Sequence, residues 1–289
     1  MKAITFFCVI CAICVTLTAC EKAEMSDDNQ SNNVTLNFLA SQQDKTRATV
    51  AIGDYFSKLN IMLFNADGTK VFDKVRTQYA TDDGFGQMNL SLSPGTYSIV
   101  AVGHSSIKSA AIKSTEMVQF TASDGEKLTD TFCYCGTITV GETPEQHDLV
   151  MNRVSAMVRF RLTDEEVPAS FARMKFDYTG GSANFNPTTF EGTTKSTQSE
   201  TRTANSNDIY QVYTFPYQSV SGSLKMTVTA LDDDGNALRT RTFESIPVTR
   251  NKITTYTGHF FEDGDGDITQ SGFGFTVNGD WDDEITIHF

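Results

Sequence analysis

The sequence of 289 residues predicts an all-β protein built as two antiparallel β-sandwiches in tandem. Three observations carry that prediction. Apolar and polar residues alternate with period two along most of the body. Turn dipeptides interrupt these runs about every 8–12 residues, with no helical apolar pattern between them. A unit of strand, Asp-Gly turn and returning strand occurs once in each half, which predicts two related sandwiches.

Lys2 supplies a positive n-region, and residues 3–18 form an uncharged apolar run of 16 residues. This run reads as an h-region. A transmembrane helix takes about 20 apolar residues, whereas this run stops at Leu17-Thr18-Ala19-Cys20. The tetrapeptide resembles a bacterial lipobox, in which small residues precede a thiol that can receive a diacylglyceryl group. It implies a signal peptide over 1–19, cleavage between Ala19 and Cys20, and lipidation of Cys20. Residues 20–33 are polar and acidic, which predicts a solvated tether on that lipid.

Val34, Leu36 and Phe38 alternate with Thr35 and Asn37 and predict the first strand. Leu59, Ile61 and Leu63 lead into an Ala66-Asp67-Gly68 turn, from which Val71 and Phe72 return. Leu90 and Leu92 reach a Pro94-Gly95 turn, followed by Tyr97, Ile99 and Ala101. The Gly-Glu-Thr-Pro-Glu segment at 141–145 marks the expected domain junction, giving an N-terminal sandwich at 34–146 and a C-terminal one at 147–289. Val154, Ala156, Val158, Phe160 and Leu162 share one face and predict the clearest half-buried strand. Leu224, Met226, Val228 and Ala230 repeat the pattern before the turn at Asp232-Asp233-Asp234-Gly235-Asn236. Ile285, Ile287 and Phe289 close the chain in the same alternation. Residues 188–207 hold ten Ser or Thr in 20 positions, which predicts a long exposed loop, either idle or partner-binding.

Thirty-six acidic residues against 23 basic ones give a net charge of −13. Such a surface argues against a nucleic-acid partner, which requires basic groups to release phosphate counterions. Four of the six cysteines fall within the first 20 residues, so no disulfide scaffold supports the body. Cys133 and Cys135 stand at i and i+2 of one strand face, a geometry that favours buried, reduced thiols over a disulfide or a metal pair. No nucleophile elbow, zinc-protease, P-loop or dinucleotide motif is present, and the expectation is a protein without catalytic residues or cofactor. His104, His147, His259 and His288 are scattered and read as surface or strand residues. Asp263, Asp265 and Asp267 place carboxylates like the first ligands of a calcium loop, but Ile268 and Gly274 break the EF-hand pattern. They read as a solvated acidic turn, with weak calcium binding as the alternative. Tyr210, Tyr213 and Tyr217 form either an aromatic binding patch or strand packing.

Four segments in this order resemble the Bacteroidales fimbrillins and their fimbrium-anchoring relatives. They are the lipobox Cys20, Leu-Ser-Pro-Gly-Thr-Tyr-Ser-Ile-Val-Ala-Val at 92–102, Leu-Val-Met-Asn-Arg-Val-Ser-Ala-Met-Val-Arg at 149–159, and Val-Thr-Arg-Asn-Lys-Ile at 248–253. The resemblance implies transthyretin-like sandwiches, export as an outer-membrane lipoprotein, and partnership with other fimbrial subunits through strand exchange. A second class of function, a fimbrial-tip or stand-alone surface adhesin or glycan-binding lipoprotein with a host or bacterial surface ligand, is the alternative.

Strand exchange has a physical reading in these residues. The stretch after the first strand carries one arginine, Arg47, before Ala48. Proteolysis between them would release Val34, Leu36 and Phe38 and leave an open edge as a template for another strand. Ile285, Ile287 and Phe289 are the candidate donor strand. Equally, both segments remain in their own sheets and Arg47 is an ordinary loop residue. Lys45-Thr46-Arg47-Ala48 favours a processed stalk subunit, whereas the chain is compact for a stalk fimbrillin and its short ending after Trp281 departs from the family's usual pair of C-terminal exchange strands.

Overall fold

The computed structural model describes residues 32–41, 52–121, 128–262 and 273–278. The first half contributes β1 (Val34–Ala40), β2 (Lys58–Asn65), β3 (Arg76–Tyr79), β4 (Gln87–Leu90), β5 (Gly95–His104), β6 (Ala111–Ser114), β7 (Met117–Gln119), β8 (Phe132–Val140) and β9 (Glu145–Arg153). The second contributes β10 (Ala156–Leu162), β11 (Arg173–Thr179), β12 (Gly181–Ser182), β13 (Asn184–Asn186), β14 (Glu191–Gly192), β15 (Gln198–Thr203), β16 (Ile209–Pro216), β17 (Ser221–Leu231), β18 (Ala237–Thr249), β19 (Ile253–Gly258) and β20 (Phe273–Asn278). The architecture is all-β, as the period-two pattern predicts.

A seven-stranded sheet runs β3-β2-β5-β8-β9-β1-β4. Its two parts join at a corner where β8 and β9 share only the pairs Phe132 with Arg153 and Cys133 with Asn152. Both parts supply one hydrophobic core, from Val34 on β1 and Leu59 on β2 to Leu149 on β9. The second core lies between the sheets β12-β16-β10-β19-β20 and β15-β11-β17-β18. Phe160 of β10 stacks there against Tyr256 of β19 at 5.6 Å and reaches across to Phe176 of β11 at 5.7 Å and Phe243 of β18 at 5.2 Å.

Three features of the structure go beyond the expectation. First, the sandwiches are not purely antiparallel: β1 runs parallel to β9, and β10 parallel to β19. The opening strand of each half thus pairs with a closing strand of the same half. Second, the cores divide between Val154, which packs in the first, and Ala156, which packs in the second. The division falls after β9 rather than at 146/147, because β9 pairs with β1 over seven residues. The Gly-Glu-Thr-Pro-Glu segment is the turn from β8 into β9. Third, the halves are joined: β6 and β7 form one sheet with β13 and β14, and Ala183, Phe185 and Phe215 pack in the first core. The described residues accordingly group as one compact unit.

The predicted Asp-Gly turns form as expected. Gly68 sits at φ +82°, its N–H donating to the Asn65 carbonyl at 2.9 Å, and the Asp67 carboxylate accepts from the Thr69 N–H at 2.9 Å. The Thr69 hydroxyl, donating to the same oxygen at 2.6 Å, and then the Thr69 N–H hold the Asp67 carboxyl below its usual range. The return strand is not Val71–Phe72 but β3, after a bent segment in which the Val71 N–H still bonds Leu63. A Cβ at Gly68 would meet open space, so Gly68→Ala isolates the backbone cost of positive φ. It is expected to destabilise by about 1–2 kcal/mol, read from urea midpoints; an unchanged midpoint would show that the turn relaxes freely.

Candidate functional site

β1 lies between β9 and β4, so its backbone bonds on both sides although it opens the described body. It pairs with β9 from Val34–Glu145 to Ala40–Met151 and with β4 from Val34–Leu90 to Asn37–Gln87. Val34, Leu36 and Phe38 point into the first core and are almost wholly buried. The outward residues are tied laterally: Asn37 Nδ2 donates to Asp148 Oδ1 at 2.8 Å and Thr35 Oγ1 to Asn89 Oδ1 at 2.9 Å. Asn33 closes one end, its side chain exchanging bonds with the Leu92 carbonyl and N–H at 2.8 and 2.9 Å. A slot with three inward apolar positions is therefore built around the first strand, with main-chain partners along seven residues on the β9 edge and four on the β4 edge.

The remaining segments quoted for the fimbrillin resemblance serve the frame of this slot. The Tyr97 hydroxyl donates to the Ser93 carbonyl at 2.9 Å and fastens the Pro-Gly turn that starts β5. Arg153 ends β9 with a bifurcated bond to Asp130, its Nε–H shared between Oδ1 at 2.9 Å and Oδ2 at 3.0 Å. Ser155 Oγ adds a second donor to Asp130 at 3.1 Å, where the chain passes from one core to the other. Burial raises the Asp130 pKa against the pull of Arg153. Asn251 takes φ +57° in the turn between β18 and β19, its N–H donating to the Ser155 carbonyl at 2.8 Å.

Ala19, Cys20, Arg47, Ala48, Asp263, Asp265, Asp267, Ile285, Ile287, Phe289 and His288 lie outside the described residues. Residues 188–207 are not one exposed loop. They include β14 and β15, and Gln198, Glu200 and Arg202 turn inward from β15. Arg202 Nη2 meets Glu200 Oε2 at 2.7 Å, and the Tyr178 hydroxyl donates to Glu200 Oε1 at 2.7 Å. Paired charges replace apolar side chains on that face, which is why an apolar alternation misses the strand. Tyr210 is buried, while Tyr213 and Tyr217 are half-buried, so the three form no exposed aromatic patch.

Cys133 is buried and free, but Cys135 is only half-buried, its Sγ lying 3.7 Å from Thr188 Oγ1 at the rim of the core. Burial raises both thiol pKa values, that of Cys133 far more. His104, expected at a surface or on an ordinary strand face, is fully buried beside Asn60. His259 comes together with Asp164 and Glu262, their ligand atoms within 4.8 Å of one another. Sequence spacing could not show this group, since Asp164 is distant in the chain. Asp164 there clasps a turn, accepting from the N–H groups of Phe260, Phe261 and Glu262 at 2.7, 2.6 and 3.2 Å.

Known structures share this architecture. A candidate adhesin of Bacteroides ovatus superposes with a TM-score of 0.51 at 11% identity, over 89% of this chain and 96% of that one. A candidate adhesin of Bacteroides thetaiotaomicron gives 0.50 at 13% identity, over 88% and 98%. The fimbrial anchor protein Mfa2 of Porphyromonas gingivalis gives 0.43 at 13% identity, over 85% and 96%. The likeness to the two Bacteroides proteins is, at these identities, one of fold. No curated protein matches the sequence significantly. A family profile covers residues 26–289, and the chain belongs to that family, the family of unknown function DUF6562.

Proposed function

We propose that the chain is a structural or anchoring subunit of a cell-surface fimbria, exported as an outer-membrane lipoprotein through Cys20 and assembled by strand exchange. The observation that carries this reading is the slot around β1, with apolar side chains inward and backbone partners on both edges. The shared fold with candidate adhesins and the lipobox support a surface location. The last five residues, Ile-Thr-Ile-His-Phe, repeat the order of Val-Thr-Leu-Asn-Phe at 34–38: apolar, Thr, apolar, polar, Phe. A donor of that pattern presents the same three side chains at the same spacing as the strand it would replace. Each contributes about 1.5–3 kcal/mol on burial, and the main-chain ladder fixes the register.

The test uses protein recovered from its own outer membrane. SDS-resistant ladders are expected, and they should vanish when residues 285–289 are deleted. Monomer alone from the intact chain would overturn the assembly reading. Intact mass separates the two forms of subunit: a start at acylated Cys20 retains β1 and marks an anchor, whereas a start at Ala48 marks a stalk subunit whose β1 has been exchanged.

A further inference from the structure

A cleft of about 730 Å³ opens between the two cores, within the size range of ligand sites. Tyr55 and Ile107 line it from the first half; Thr201, Tyr210, Gln211 and Tyr213 line it from β15 and β16. Ile107 is 60% exposed, and Tyr55 and Tyr213 are half-buried rings, so the cleft carries apolar surface.

Its charged members are already neutralised from within. Arg202 is bonded to Glu200, and Asp130 to Arg153. Its neutral polar groups are held in place with donors to spare. Gln211 Oε1 accepts from the Tyr213 hydroxyl at 3.2 Å, and its backbone carbonyl accepts from Arg202 Nε at 3.0 Å. Its Nε2 has no hydrogen bond among the described residues, and the Thr201 hydroxyl has none either. Tyr210 is 1% exposed, and its hydroxyl is buried without a hydrogen-bond partner. That hydroxyl lies near the Asn205 backbone and the Asp208 carboxylate, and Asn205 also lines the cleft.

A ligand suited to these walls offers apolar C–H faces to Tyr and Ile, hydroxyls to amide and hydroxyl donors, and no charge. Sugars have that chemistry, and the net charge of −13 disfavours polyanions. We propose that this cleft is a binding site for a neutral glycan. The inference rests on the surface location proposed above and is independent of strand exchange.

The lipid-free chain from residue 21, carrying its C-terminal residues, is tested on an array of neutral oligosaccharides, sialylated and sulfated oligosaccharides, and short peptides. Binding to at least one neutral oligosaccharide is expected, followed by calorimetry at two salt concentrations with little change in Kd. Gln211→Ala, which keeps the backbone carbonyl that Arg202 uses, should weaken binding at least tenfold, and Thr201→Val severalfold. No neutral oligosaccharide bound, only charged glycans or peptides bound, or Kd values unchanged in both Gln211→Ala and Thr201→Val would overturn the proposal. SDS ladders of the same variants report assembly separately: intact ladders without glycan binding reject the cleft and leave the fimbrial reading standing.

Discussion

Arg202→Ala is expected to destabilise the protein by about 3–5 kcal/mol, the cost of leaving a buried carboxylate without its cation. The Glu200 side chain is 0% exposed and faces Arg202 Nη2 at 2.7 Å. Arg202 itself is 9% exposed and also holds the Gln211 carbonyl through Nε, fastening β15 to β16. Once the guanidinium is removed, Glu200 keeps the Tyr178 hydroxyl as a neutral donor, and one such bond does not offset desolvation of a carboxylate. Burial and the neighbouring Glu200 already push the Tyr178 phenol well above its usual range, so it remains a donor and does not become a competing anion. The double variant Glu200→Leu, Arg202→Met removes both charges and fills similar volume. It is expected to lose clearly less than Arg202→Ala alone, because no uncompensated charge is left behind. Urea midpoints at constant slope measure both. A loss below about 1 kcal/mol for Arg202→Ala would show that water reaches Glu200 and the pair behaves like an exposed one.

The same network marks where the sequence could and could not be read. The strands with an apolar face, β1, β5, β10 and β17, are visible from alternation because the first and second cores demand apolar residues at every second position. β15 reads Gln-Ser-Glu-Thr-Arg-Thr, and it alternates too, with large polar groups inward and small hydroxyls outward. An alternation counted in hydrophobicity cannot register it. β2 shows the opposite limit: Leu59, Ile61 and Leu63 are inward as predicted, but Met62 and Phe64 are buried as well, since the strand is covered on both faces. The run from Val154 to Leu162 is correct as an alternation, yet it crosses from one core to the other, because a face pattern does not say which core it faces. The parallel pairings of β1 with β9 and β10 with β19 join residues about a hundred positions apart, and no local signal encodes them. The slot around β1 is therefore half legible: its occupant follows from alternation, while its β9 wall, about a hundred positions away, has no local signal. The cleft is less so, since its walls come from segments distant in the sequence.

Acidification is expected to destabilise the first core through His104, with a sign that follows from its hydrogen bonds. The imidazole is 0% exposed; Nδ1 accepts from the Ser106 N–H at 3.1 Å and Nε2 meets Asn60 Oδ1 at 2.8 Å. Asn60 Oδ1 also accepts from the Ala110 N–H at 2.7 Å. A ring nitrogen that accepts an N–H carries no proton, so the folded state holds the neutral tautomer protonated at Nε2. Protonating Nδ1 would oppose the Ser106 N–H and bury a cation near Lys58, whose Nζ bonds the Ser106 and Ile107 carbonyls. Burial, and then Lys58, accordingly lower the pKa from 6.5 to about 3. The unfolded chain therefore binds the proton first. Stability is complete above pH 6.5 and falls as pH drops from 6.5 toward 3, by about 1.4 kcal/mol per unit. Asp130 works in the opposite direction: its raised pKa makes the folded state take up a proton before the unfolded one does, adding stability as pH falls through that range. Comparison with His104→Gln separates the two, because Asp130 is common to both proteins. At neutral pH the variant is the less stable; by pH 4 the wild type should have lost about 3 kcal/mol more than the variant over the same interval. Parallel stability curves from pH 7 to 4, or a His104 ring resonance that titrates near 6.5, would show the imidazole open to water and remove the effect.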